Sequence, residues 1–212
     1  RGLIELNSAR KKHQQTVLEG THLCLTWLQQ QKKIFSLFTT EQALAHPDLQ
    51  KIIELHKGHI FVISEVLYKD LSTLGTTLPC LAIIDLPSNI QTIDFSKDTL
   101  ILENVQDPGN VGTLLRSAAA ANVQQVICTQ GSALLWSPRV LRAGMGAHFS
   151  VHCFENFQLT DILPKFQIPV FVTSSHRSTS LYSKDLKQAC VWILGNEGQG
   201  ASDYALEHAQ AV

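Results

Sequence analysis

Five short apolar runs recur through the second half of the chain: Thr99–Leu102, Gln125–Cys128, Phe149–Phe154, Val170–Thr173 and Val191–Leu194. They are continuous rather than alternating, so both faces of each strand must be covered. Segments of helical character separate them, the clearest being alanine-rich Ser117–Ala121. Buried strands joined by helices form a parallel sheet with helices on both faces. At 212 residues the chain has room for this layer and a second, smaller domain.

The first part of the chain has shorter elements. Leu3–Gln15 reads as a helix with a basic end, and Thr16–Leu18 as a strand closed by Glu19-Gly20. Thr21–Gln31 is helical and Ile34–Phe38 a strand; Thr40–Leu55 is helical in pattern but interrupted at Pro47. Ile60–Ile63 is a strand, Glu65–Leu71 a helix and Leu81–Asp85 a strand. This predicts a small α/β domain over 1–86, a linker over 87–98 and a parallel α/β domain over 99–212.

Seventeen basic residues against eighteen acidic ones leave a formal charge of −1. That argues against broad electrostatic capture of nucleic acid and leaves the question to local patches. Arg10-Lys11-Lys12-His13 is one patch and Lys32-Lys33 another; such short runs are most often a solvated face, and the first reads equally well as a nucleic-acid contact. The five cysteines are scattered without a C-x-x-C pair. They read as small core residues in a reducing, cytoplasmic setting, not as metal ligands or a disulfide framework. The histidines show no ligand spacing, so no metal is expected. No apolar run is long enough for a transmembrane helix, and no membrane association is expected. The first residue is Arg1 rather than Met, so the natural chain is expected to begin earlier.

Three motifs carry chemistry. The first is Glu103-Asn104-Val105-Gln106-Asp107-Pro108-Gly109-Asn110-Val111-Gly112-Thr113-Leu114-Leu115-Arg116, at a strand-to-helix turn. Such turns at the carboxyl edge of α/β sheets are where these folds bind ligands. Asp107-Pro108-Gly109 is turn chemistry, Asn110 reads as the helix N-cap, and Gly112 permits a close backbone approach. Arg116 lies in a helix that is apolar nearly all round. It is expected to be buried and in need of an anionic partner, or else to extend to the surface. The second motif, Leu194-Gly195-Asn196-Glu197-Gly198-Gln199-Gly200, follows the last strand. Its G-x-x-G-x-G spacing does not fit a dinucleotide fingerprint, and no phosphate-binding G-x-x-x-x-G-K-[ST] loop occurs anywhere. The third is Ser137–Ala147, a short helix with Ser137 and Pro138 as N-cap and first residue. Arg139 and Arg142 share one of its faces, as solvated residues or as a phosphate grip.

In this order the motifs resemble the SpoU, or TrmH-type, RNA ribose 2′-O-methyltransferases of the SPOUT superfamily. Asn104-x-x-Asp107-Pro108-x-Asn110-x-Gly112-x-x-x-Arg116 looks like that family's first signature. Leu194-Gly195-Asn196-Glu197-Gly198-x-Gly200 looks like its second. Residues 99–212 carry the match; the N-terminal part resembles, more weakly, an L30e-like substrate-binding domain. The resemblance implies a trefoil-knotted α/β domain, S-adenosylmethionine as cofactor and a homodimer. The implied reaction methylates a ribose 2′-hydroxyl of structured RNA, rRNA in preference to tRNA. Arg116, Asn110 and Glu197 are the implied catalytic residues. Thr173, Leu194, Gly195 and Gly198 are the implied cofactor contacts, and Arg10, Lys11, Lys12, Arg139 and Arg142 the expected RNA contacts. The family's third signature, an Ile-Pro-rich strand and a Ser-Leu-Asn helix start, is expected beyond Val212. Two other readings stay open: an RNA-binding homologue without activity, and a generic α/β nucleotide-binding enzyme.

Overall fold

A computed structural model of the chain describes residues 1–73, 78–87, 92–174, 180, 183–184 and 186–209. Residues 88–91 of the expected linker and the terminal 210–212 lie outside them. The chain packs as two units: Arg1–Ser88 with Trp136–Phe149, and Asn89–Leu135 with Ser150–Val212.

The first unit contains α1 (Gly2–Glu5), α2 (Asn7–His13), β1 (Gln15–Glu19), α3 (Thr21–Gln29), β2 (Ser36–Thr40), α4 (Pro47–Leu55), β3 (His59–Ile63), α5 (Glu65–Leu71) and β4 (Leu81–Asp85). Its sheet has the order β1-β4-β2-β3; β4 is antiparallel to both neighbours, and β2 and β3 are parallel. Leu18, Leu37, Leu49, Ile52 and Ile84 fill its core. Each such side chain contributes roughly 1.5–3 kcal/mol by leaving water.

Three expectations change here. Leu3–Gln15 is not one helix: Leu6 is extended, Gln14 is left-handed at φ 52°, and Gln15 already pairs in β1. Pro47 does not interrupt a helix but starts α4, because its missing N–H needs no partner in the first turn. The segment Trp136–Phe149, with helix α7 (Pro138–Gly144), packs with the first unit although it follows the strands β5 (Thr99–Leu102) and β6 (Gln125–Thr129) in the chain. Leu141 and Phe149 are buried in that unit's core, Phe149 meets Trp27 edge-on at 5.0 Å, and Thr16 Oγ1 donates to the Trp136 carbonyl at 2.8 Å.

The second unit contains β5 (Thr99–Leu102), α6 (Pro108–Ala120), β6 (Gln125–Thr129), β7 (His152–Phe157), α8 (Leu159–Ile162), β8 (Val170–Val172), β9 (Val191–Leu194) and α9 (Asp203–His208). All five strands are parallel, in the order β7-β6-β5-β9-β8. The apolar run expected at Phe149–Phe154 starts pairing only at His152; Ala147–Phe149 is a 3-10 turn. The carboxyl ends of β5, β9 and β8 are neighbours on one edge of the sheet. Glu103-Asn104, Gly195 and Thr173 follow those strands directly.

Candidate active site

α6 begins at Pro108, so its N-cap is Asp107 and not Asn110. Asp107 Oδ1 accepts the Asn110 N–H at 2.8 Å. Asn110 therefore falls in the first turn with its side chain available. Its Nδ2 donates to Glu197 Oε1 at 3.0 Å. The same carboxylate accepts the backbone N–H groups of Asp107 and Gln106, each at 3.3 Å. One side chain from the β9–α9 loop thus holds the entire entry to α6. These donors, the Asn110 side chain foremost, keep the Glu197 carboxyl below the usual glutamate range.

A second set of bonds fixes the glycine loop. Asn104 is left-handed at φ 55°, and its carbonyl accepts Asn196 Nδ2 at 2.8 Å. Asn196 Oδ1 accepts the N–H groups of Gly198 and Gln199 at 2.9 and 3.1 Å. The backbones of Asn196 and Gly200 exchange two bonds, at 2.9 and 2.8 Å. This folds the loop so tightly that a Cβ on Gly195 would lie 2.1 Å from the Ala201 nitrogen. Past the loop, Ser202 caps α9 and binds Glu103 twice: N–H to Oε2 at 2.9 Å and Oγ to Oε1 at 2.6 Å. Sequence reasoning missed Glu103, Asn196 and Ser202 as braces. An Asn beside glycines and a Ser before an acidic helix start were the available signals.

Of the two alternatives for Arg116, the structure takes the surface one. α6 buries only one face, through Val111, Gly112, Leu115 and Ala118; Thr113, Arg116, Ser117 and Ala120 are exposed. Alanines make the helix look apolar all round, but they are small enough to face water. Arg116 has no hydrogen bond or ion pair among the described residues, and Glu197 clamps the turn rather than the guanidinium.

The expected cofactor residues collect on the same sheet edge. Leu194 is half-buried and its carbonyl accepts the Glu103 N–H at 2.8 Å. Thr173 is exposed just past β8, its N–H bonded to the Ile193 carbonyl at 3.1 Å. Gly198 and Gly200 are exposed, and a Cβ on Gly200 would meet nothing within 4 Å. Together they offer an apolar strand end, a hydroxyl and bare backbone, groups that suit apolar and hydrogen-bond contacts to a nucleoside-like cofactor. Among the described residues no His, Cys, Asp and Glu group is placed to hold a metal ion, and no helix is long and apolar enough to cross a membrane.

The expected RNA contacts belong to the first unit. Lys11, Lys12 and Arg139 are exposed. Arg142 is half-buried and donates to the Thr73 carbonyl at 3.3 Å. Ser137 caps α7 as the sequence indicates, its Oγ accepting the Val140 N–H at 3.4 Å. Arg10 is a correction. It is only 6% exposed, and its Nη1 donates to the carbonyls of Leu3 and Ile4 at 3.0 and 3.3 Å, closing the end of α1. A guanidinium held this way satisfies orphan helix carbonyls and does not present itself to solvent.

A parallel α/β sheet with a braced turn and a glycine loop at its carboxyl edge has the layout at which such folds bind small molecules. The sequence profile of the SpoU rRNA methylase family matches residues 97–212. The chain belongs to that family. It is 34% identical over 184 residues to the mitochondrial rRNA methyltransferase 3B of Danio rerio, covering 81% of this chain and 40% of that one. It is 31% identical over 210 residues to a tRNA/rRNA methyltransferase of Synechocystis, covering 96% and 76%. It is 24% identical over 206 residues to the Bacillus subtilis 23S rRNA guanosine 2′-O-methyltransferase RlmP, covering 96% and 80%. The chain thus spans less than half of the mitochondrial relative. Among solved structures, a TrmH-family RNA methyltransferase from Porphyromonas gingivalis superposes with a TM-score of 0.84 at 30% identity, covering 100% of this chain and 83% of that one. AviRb from Streptomyces viridochromogenes, solved with AdoMet, shares the fold at a TM-score of 0.89 and 16% identity, covering 99% and 84%.

Proposed function

We propose that this protein methylates a ribose 2′-hydroxyl of structured RNA with S-adenosylmethionine as donor, and that rRNA is its substrate in preference to tRNA. The observation that carries this is the unpartnered Arg116, exposed on the helix whose start Glu197 locks to the glycine loop. When bound, S-adenosylmethionine supplies a methyl group open to in-line displacement. Leu194, Gly195, Gly198 and Thr173 hold the cofactor at the strand ends.

A neutral ribose hydroxyl is a weak nucleophile and must lose its proton, which passes to water at this open site, as the new bond forms. A guanidinium is a donor with no free lone pair to accept a proton, so Arg116 is a poor choice of general base. We assign it instead to the RNA phosphate beside the target ribose, gripped in bidentate fashion, where its charge favours the developing alkoxide. Asn110 and Glu197 position the turn that carries Arg116; much of the catalysis is then alignment. Lys11, Lys12, Arg139 and Arg142 serve as RNA contacts. The trefoil knot, an L30e-like first unit, a homodimer and a cytoplasmic location complete this reading.

The test is methyl transfer to rRNA and tRNA by the full-length protein, with ribose methylation read as resistance of the adjacent phosphodiester to alkali. Arg116→Ala should fold and bind S-adenosylmethionine as before and lose about 10²–10³-fold in transfer, the usual loss of an oxyanion-stabilising donor. Full activity in that variant, or methylation of bases only, overturns the proposal.

A further inference from the structure

The end of β6 and the loop after it turn two hydroxyls on the start of the β5–α6 turn. Ser132 Oγ accepts the Val105 N–H at 3.1 Å and donates to the Leu102 carbonyl at 2.9 Å. Thr129 Oγ1 accepts the Asn104 N–H at 3.1 Å. The Ala133 N–H donates to the Val105 carbonyl at 2.8 Å. A Cβ on Gly131 would lie 2.5 Å from Asn104 Oδ1, so the loop needs bare backbone where it meets that side chain. The β5–β6 ladder ends with Leu102 opposite Cys128, and these bonds take over where it stops.

The backbone of residues 102–107 is thereby divided between two loops. The β9–α9 loop takes the Asn104 carbonyl and the N–H groups of Gln106 and Asp107. Residues 129–133 take the Leu102 carbonyl, the Asn104 N–H and both polar groups of Val105. Asn104, left-handed at φ 55°, is the kink between them. One hydroxyl can donate and accept at once. That of Ser132 therefore ties Leu102, before the kink, to Val105, after it. Leu102 and Val105 are 0% and 2% exposed, so water is a poor substitute for the hydroxyl.

We propose that Ser132 is a positioning residue for methyl transfer, supported by Thr129. The two hydroxyls set the direction in which the turn leaves β5, and through it the placement of Asn110 and Arg116 on α6. The inference rests on the methyltransferase reading above. Ser132 acts through Leu102 and Val105 rather than on the reacting atoms. Glu197 clamps the far end of the same turn, at Asp107 and Asn110. Held at both ends, the turn has one path. Without Ser132 the Glu197 clamp and the Asp107 cap stay, and the turn pivots on them. Alignment governs rate: a displacement of about 1 Å can cost ~10²-fold.

The experiment measures methyl transfer to RNA by the whole protein, native and as Ser132→Ala, Ser132→Thr and Thr129→Val. The kcat and KM values are separated, well below each variant's melting temperature. Ser132→Ala should lose about 10-fold or more in kcat. Its KM for S-adenosylmethionine should move by less than about 3-fold, because the lost interaction is one of alignment and not of uniform binding. Ser132→Thr keeps the hydroxyl and should recover most of the rate; Thr129→Val should lose kcat in the same sense. The Val105 amide should exchange faster in Ser132→Ala, while the Gln106 amide, held by Glu197, stays as it was. A brace that serves stability alone would lower Tm and leave the kcat of the folded protein untouched, and that result overturns the proposal. So does a loss confined to KM, a Ser132→Thr variant as slow as Ser132→Ala, or an unchanged Val105 amide. An inactive native protein overturns the methyltransferase reading and this inference with it. An active native protein with an unaltered Ser132→Ala kcat overturns this inference alone.

Discussion

Replacing Gly195 by alanine tests whether the β9–α9 loop needs its tight return. The added Cβ would sit 2.1 Å from the Ala201 nitrogen and 2.2 Å from the Gly200 carbonyl carbon. Both obstacles are backbone, so no side chain can swing aside. The loop must open, and the paired Asn196–Gly200 bonds at 2.9 and 2.8 Å open with it. Overpacking of this kind costs about 1–3 kcal/mol. At about 2 kcal/mol, a chain of this size loses roughly 4–8 °C in Tm. Two neighbours serve as controls. Gly198→Ala places a Cβ 3.6 Å from Asn196 Oδ1, an ordinary contact, and should stay within about 0.5 kcal/mol. Gly200→Ala meets open space but must hold φ +74°, and should cost about 1 kcal/mol. Calorimetric unfolding and titration with S-adenosylmethionine read both consequences. Gly195→Ala should lose the most stability and nearly all cofactor affinity. A variant matching the native protein in both would refute the loop geometry and its assignment to the cofactor.

Asp107→Ala removes the α6 cap and should cost about 1 kcal/mol by urea unfolding. Tyr68→Phe leaves the buried Cys80 N–H without its acceptor and should cost about 1–3 kcal/mol. Burial pushes the Tyr68 phenol up to about 12, so its contribution is intact below about pH 10, where the unfolded phenol titrates, and is lost as pH climbs to 12; the Phe variant should lack that alkaline decline in denaturation curves. The Glu197 carboxyl is lowered, so its clamp is complete above the ordinary glutamate range, about pH 4.3, and loosens only as pH falls further. The Asn110 side-chain amide resonance should report that loosening in acid, and Glu197→Gln should remove the pH dependence.

What could be read from the residues depended on how local the cause was. Thr99–Leu102 and Val191–Leu194 are strands at the expected bounds, because unbroken apolar runs admit few alternatives. The meeting of Asn110 with Glu197, 87 residues later, was approached through family resemblance and not through spacing. The pattern leaves Arg116 open between core and surface because alanine counts as apolar yet tolerates water. Asn110 reads as the cap because Asp107-Pro108-Gly109 has turn chemistry, yet the helix already includes Pro108 and Asp107 caps it. Arg10 looked like the head of a basic patch; only the break at Leu6 brings the Leu3 and Ile4 carbonyls within its reach. The packing of Trp136–Phe149 with the first unit rests on contacts more than a hundred residues apart in sequence, which no window of residues reveals.

The position of β9 has a consequence for synthesis. It is the last described strand in chain order, yet it lies between β5 and β8, with every one of its residues paired to β5. As the polypeptide emerges from the ribosome, β5 and β8 must wait with open flanks until Val191–Leu194 arrives. The first unit faces a similar delay only until Trp136–Phe149 appears. Long-range parallel pairing of this kind is slow and leaves strand edges exposed in the interval. A stall or premature stop just before Val191 therefore releases a chain whose sheet lacks the strand that joins β8 to β5, a natural target for chaperones and proteases.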